Sequence, residues 1–264
     1  MPAEHIAVAN HKGGVGKSLT SVMLAAGLAQ AGWRTLLVDC DPQANATSMF
    51  DPDDNVEFDL FDLVKERTPL SKVIRRTRLE CLDLLPSTLA VAQLDQQLVA
   101  MHRREDVIRN ALEPIRDDYD TVVLDLSPNL GMLVIAALSN ADSLVVPTDA
   151  SRWGRRGVSM FLEWSEQLRE ARVLNADLLG VLLTKYEPTT RVSRDVLADL
   201  QASDIRMFEA VIPKRVAAER MVADCTVLGD QGADPDLSNA YARFTVEVMN
   251  RVVDLQKTRG RHHA

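Results

Sequence analysis

With 264 residues, 46% of them hydrophobic and 26% charged, the chain carries the apolar content of one folded α/β domain and not that of a disordered protein. A net charge of −8 sets the molecule as a whole against a polyanion, so any contact with nucleic acid has to come from a local basic patch. No apolar run is long enough to span a bilayer, and the N-terminal residues carry no leader of basic and apolar character. Cys40, Cys81 and Cys225 lie too far apart to form a CxxC pair, which argues against a metal cluster and for a reduced, cytoplasmic setting.

Apolar, β-branched runs at 5–10, 35–40, 79–85, 121–126, 143–147, 178–184 and 205–212 predict strands. The stretches between them predict helices over 17–31, 88–115, 131–140, 154–172, 192–202 and 237–255. Strands apolar on both faces, alternating with helices, predict a mostly parallel twisted sheet with helices on both faces. The turn-rich stretches 51–57 and 229–236 read as loops rather than linkers. Residues 1–264 therefore read as a single domain, with 258–264 a disordered basic tail.

The first strand runs into Lys12-Gly13-Gly14-Val15-Gly16-Lys17-Ser18-Leu19, and a helix begins at once. Strand, glycine loop and helix in that order are the context of a phosphate-binding loop. Glycines let backbone amides turn inward around phosphates, and the helix N-terminus adds its positive end. Residues Lys12, Gly13, Gly14, Val15, Gly16, Lys17, Ser18 and Leu19 are the candidate cradle, with Lys17 bridging phosphate oxygens and the Ser18 hydroxyl on Mg2+. His11 occupies the position where GxxxxGK[ST] has its first glycine. The remaining GGxGK[ST] would arise by chance in roughly one chain in a thousand of this length, so a meaningless glycine turn is a poor explanation.

The second predicted strand ends in Asp39-Cys40-Asp41, two carboxylates on one side of a strand end, facing the crevice where α/β sheets bind ligands. The strand at 121–126 brings Asp125 to the same edge, where it can hold magnesium through a water opposite Ser18.

The run KGGVGKS resembles the deviant Walker A motif of the ParA/MinD family of P-loop ATPases, and of its ParA/Soj-type members in particular. Asp39-Cys40-Asp41-Pro42-Gln43-Ala44-Asn45-Ala46-Thr47 resembles that family's DxDPQxNAT segment. Similar correspondences at Leu84-Leu85-Pro86-Ser87, Leu126 to Gly131, Val146-Pro147-Thr148, Gly180 to Tyr186 and Val211 to Arg215 extend the resemblance over nearly the whole chain. It implies a single P-loop domain that takes ATP and Mg2+. By the same resemblance Lys12 reaches across a dimer interface to the partner's nucleotide, Asp41 positions the attacking water, and Asp39 supports the magnesium shell. Thr184 and Pro213 would border the base.

ParA-type members form ATP-bound homodimers that hold DNA nonspecifically through basic residues; the candidates here are Arg191, Arg194, Lys214, Arg215 and Arg220. The expected partner is a ParB-like centromere-binding protein or cargo adaptor that stimulates slow hydrolysis, and the expected location is cytoplasmic, on the nucleoid. Arg152, Arg155 and Arg156 depart from the acidic or aromatic segment usual in the family. The last predicted helix gathers Tyr241, Phe244, Val248, Val252 and Leu255 on one face, which reads as packing against the sheet. Residues 260–264, with His262 and His263 as tail residues, offer nothing bulky and apolar to lipid, so no membrane partner is expected. The alternatives are a related ATPase that positions a protein assembly or regulates division, as MinD and MipZ do, and a P-loop metallocluster carrier, which needs paired cysteines.

Overall fold

The computed structural model describes residues 2–51 and 55–262; part of the predicted acidic loop, and His263 of the predicted tail, lie outside the described residues. In chain order the elements are β1 (Glu4–Val8), α1 (Lys17–Gln30), β2 (Thr35–Asp39), α2 (Asn45–Ser48), α3 (Leu70–Val73), β3 (Arg75–Arg76), β4 (Leu82–Leu85), α4 (Val91–Leu98) and α5 (Val107–Leu112). There follow β5 (Thr121–Asp125), α6 (Met132–Ser139), β6 (Ser143–Asp149), α7 (Gly154–Glu170), β7 (Asp177–Tyr186), α8 (Arg191–Gln201), β8 (Met207–Pro213), α9 (Val216–Ala223) and α10 (Pro235–His262). The eight strands form one sheet in the order β3-β4-β2-β5-β1-β6-β7-β8. Among the described residues only the two-residue β3 runs antiparallel, against β4.

Every residue of β1, β2 and β5 is buried, as a central strand covered on both sides requires. Alternate residues feed two separate cores. Ala7, Leu36, Val38, Val122 and Leu124 face one layer with Leu94, Ile108, Leu133 and Phe161 of the helices. Ile6, Val8, Leu37 and Val123 face the other, with Met23, Leu24 and Leu28 of α1 and Tyr241, Phe244 and Val248 of α10. The predicted apolar stripe of α10 is thus spent on the sheet. Among the described residues no helix is long and apolar enough to cross a membrane.

Several boundaries differ from the sequence reading, for identifiable reasons. The helix expected over 88–115 breaks after Leu98, and Arg103 adopts a left-handed φ of 52° before α5 starts. A straight helix over that span would separate Leu94 from Ile108 by about 20 Å at 1.5 Å per residue; the break lets both reach the same core. The strand expected from 79 begins only at Leu82, because Cys81 sits at a φ of 63°. The segment 258–262, expected as disordered tail, instead continues α10. Arg259 explains this: it lies 3.1 Å from Glu4, a carboxylate only 4% exposed, and 2.9 Å from Asp177. A buried acid needs such a counter-charge.

The topology places the loops that follow β1 and β2, and the end of β5, side by side. Val8 and Asp39 both stand level with Asp125 in the ladder. All three strand ends open on the same crevice.

Candidate functional site

The loop after β1 is anchored before it turns. Asn10 Nδ2 donates to the Pro147 carbonyl at 2.8 Å, and its Oδ1 accepts from the Lys12 amide at 3.0 Å. Gly14 and Gly16 then take φ values of 72° and 83°, a left-handed conformation that favours glycine and turns the amides inward. No side chain caps the α1 N-terminus, so the free amides of its first turn remain available to an anion. They face a recess of about 480 Å³ lined by Gly13, Gly14, Gly16, Lys17, Ser18 and Leu19 of the loop, with Asp41 beside them and Glu219 of α9 across it.

Val15 is fully buried and faces away from the recess. Thr184 Oγ1 lies 2.8 Å from its carbonyl and 3.0 Å from that of Thr148, donating beneath the loop. Thr184 is only 2% exposed. Its hydroxyl is a strut for the loop. Pro213, expected beside the base, lines a neighbouring hollow of about 690 Å³ between β8 and α10, with Arg215, Asp236 and Asn239.

The two lysines are placed differently. Lys17 is 6% exposed and donates to the Lys12 carbonyl at 3.1 Å. Burial pulls its ammonium below the ordinary lysine range, while Asp125 and Asp41 act in the opposite sense. Lys12 points away from the recess, with Nζ 2.6 Å from Asp149 Oδ1 and 2.9 Å from Ser151 Oγ.

The carboxylates also separate by role. Asp39 is wholly buried; its Oδ2 accepts from the Thr47 amide and hydroxyl, each at 2.8 Å, and its Oδ1 from the Asp41 amide at 3.0 Å. With both oxygens engaged by its own loop, Asp39 fixes the loop that carries Asp41. Asp41 lines the recess. Asp125 Oδ1 accepts from Ser21 Oγ at 2.8 Å, while its buried Oδ2 has no hydrogen-bond partner among the described residues. Burial pushes the Asp125 carboxyl well above the usual range, and the Asp39 charge adds to it.

An unpartnered buried carboxylate oxygen beside a phosphate loop fits a hydrated cation. Among the described residues no cluster of three or more His, Cys, Asp or Glu is arranged to hold a metal by itself. The donors present therefore suit Mg2+ shared with phosphate, as Ser18 and Asp125 can provide, better than a closed protein cage. All three cysteines are free, Cys40 buried and the other two half-buried.

The predicted basic residues spread over α8, the β8–α9 junction and α9, and most are engaged. Lys214 pairs with Glu187 at 3.0 Å, Arg215 with Asp236, and Arg191 with Asp195 at 3.5 Å; Arg194 donates to the Pro188 carbonyl at 2.8 Å. Arg220 is exposed on α9. Sequence reasoning missed Ser21, Asn10, Asp149 and Ser151. Nothing local singles out Ser21, because Ser18 and Thr20 carry hydroxyls in the same first turns of α1.

Comparison with known proteins agrees with this geometry. The family model described as AAA domain matches residues 3–179. The sporulation initiation inhibitor protein Soj of Bacillus subtilis is 37% identical over 215 residues, which are 80% of this chain and 84% of that protein. The chromosome partitioning protein ParA of Caulobacter vibrioides is 31% identical over 263 residues, 97% of each chain. Among solved structures, the cobyrinic acid a,c-diamide synthase of Mycobacterium smegmatis with bound ATP analog and magnesium superposes with a TM-score of 0.79 at 30% identity, covering 92% of this chain and 93% of that one. With the glycine loop, Lys17 and Asp41 around one recess and the three strand ends opening on the same crevice, the chain belongs to the ParA/MinD family of P-loop ATPases.

Proposed function

We propose that the chain is a ParA-like positioning ATPase. It binds ATP with Mg2+, dimerises in that state, holds DNA nonspecifically, and hydrolyses ATP when a partner stimulates it, so as to segregate or position chromosome or plasmid cargo. The observation that carries the reading is the division of labour between two lysines on one loop: Lys17 buried at the recess floor, Lys12 turned outward. A metabolic P-loop enzyme needs only the first. The second makes sense if it serves a nucleotide on another subunit, so that ATP joins two chains.

In this reading the loop amides hold the β- and γ-phosphates, and Lys17 leaves the Lys12 carbonyl for phosphate oxygen. Ser18, and Asp125 through a water, hold the magnesium, which when bound neutralises phosphate charge. Asp41 orients the attacking water. Asp39 keeps Asp41 in place through the 3.0 Å bond to its amide. Hydrolysis is slow in the isolated chain, because a switch has to persist long enough to be read. The expected partner is a ParB-like centromere-binding protein or cargo adaptor, and the working location is the nucleoid in the cytoplasm.

DNA contact falls to Arg191, Arg194, Lys214, Arg215 and Arg220; the exposed ion pairs of Arg191, Lys214 and Arg215 are weak enough for phosphates to replace. Filter retention of a random duplex at low salt tests this. Retention should require Mg-ATP, fall steeply with salt, and disappear in Lys214→Glu combined with Arg215→Glu. Retention that persists in that double variant removes the assigned surface.

A further inference from the structure

The ammonium of Lys12 is not solvated at random. One oxygen of Asp149 accepts from Lys12 Nζ at 2.6 Å and from Ser151 Oγ at 2.9 Å, and Ser151 Oγ in turn accepts from Lys12 Nζ at 2.9 Å. The three groups close a ring. The Lys12 and Asp149 side chains are only 26% and 20% exposed, so the pair is more strongly coupled than a surface ion pair.

The acid is carried by the rigid part of the fold. Asp149 is the last residue of β6 and pairs with Thr184 of β7, the same residue that props up the loop at Val15. The turn after it folds back tightly: a Cβ on Gly154 would lie 2.2 Å from the Asp149 carbonyl and 3.2 Å from its Oδ1, so only glycine fits there. The same strand holds the root of the loop through Asn10 and the Pro147 carbonyl.

We infer that Asp149, assisted by Ser151, is a positioning residue for Lys12: it latches the lysine to its own subunit and sets how much dimer contact is needed to release it. This rests on the reading that Lys12 serves a partner's nucleotide. Lys12 is gripped at two points, its carbonyl by Lys17 and its ammonium by Asp149. Phosphate entering the recess draws Lys17 away and removes the first grip only. The second yields when phosphate on a facing subunit competes for the ammonium. The latch therefore taxes the dimer-competent conformation and raises the concentration at which ATP-loaded chains associate.

Sedimentation velocity in saturating Mg-ATP tests this with wild type, Asp149→Asn, Ser151→Ala and Lys12→Ala. Asparagine keeps the size and one oxygen and removes the charge. The midpoint concentration for dimerisation should fall about tenfold in Asp149→Asn, the scale of one charged hydrogen bond, and shift the same way but less in Ser151→Ala. ATP affinity of the monomer, measured below the dimerisation range, should stay within about twofold, on the same energy scale. If Lys12→Ala abolishes dimers yet neither Asp149→Asn nor Ser151→Ala lowers the midpoint, the latch is refuted and the partner-directed lysine stands. A monomer affinity that shifts as much as the midpoint also refutes it, because the acid then acts on nucleotide. If Lys12→Ala dimerises like wild type, the partner-directed reading fails, and the latch with it.

Discussion

Replacing Thr184 by valine separates the strut seen here from a contact with the base. Valine preserves the shape and removes the hydroxyl that lies 2.8 Å from the Val15 carbonyl and 3.0 Å from the Thr148 carbonyl. A hydroxyl has one proton, so it satisfies one of these acceptors at a time. Removing it from a site 2% exposed leaves a buried acceptor without a donor, at a cost of about 1–3 kcal/mol. In a domain of this size each kcal/mol is worth about 2–4 °C, so the apo protein should melt roughly 2–12 °C lower. Differential scanning calorimetry without nucleotide reads the loss, and Thr184→Ser, which keeps the donor, should recover most of it. An unchanged melting temperature together with a large loss of ATP affinity would refute the strut and restore Thr184 to the base.

Two further outcomes follow from buried groups. Burial pulls the His5 pKa from its ordinary 6.5 to about 4, so between these values the unfolded chain binds the proton and the folded one does not. Stability is therefore full above about pH 6.5 and falls by up to about 3 kcal/mol as pH drops to 4. Chemical denaturation should show a flatter acid limb in His5→Gln than in wild type, and parallel limbs would contradict the assignment. Asp41→Ala should retain ATP binding but stop turnover, so that sedimentation finds a persistent ATP dimer; a variant that turns over normally would remove Asp41 from the reaction.

What was legible in the sequence is what local pattern encodes. The glycine loop, the strand–helix rhythm and the acids at strand ends are written in adjacent residues, and they lie where the pattern put them apart from the boundaries at Cys81, Leu98 and 258–262. Thr184, Asp149 and Ser21 took their roles from partners 169, 137 and 104 residues away in sequence, which no window along one chain can reveal. Asp39 and Asp41 differ for a local reason: two acids at a strand end look equivalent until Thr47 and the Asp41 amide claim one of them. The break after Leu98 was hidden because apolar residues continue on both sides of it at helical spacing. The helical course of 258–262 is not legible locally because the buried Glu4 that Arg259 pairs with lies at the other end of the chain.

The direct test of the account is ATP affinity by titration calorimetry, with and without Mg2+, in wild type and Lys17→Ala. A loop that cradles phosphate around Lys17, with Ser18 and Asp125 on the metal, predicts tight binding only with Mg2+. It also predicts a loss of about 10- to 100-fold in the variant, the worth of a charged hydrogen bond. Equal affinity in the two proteins, or binding indifferent to Mg2+, would contradict it.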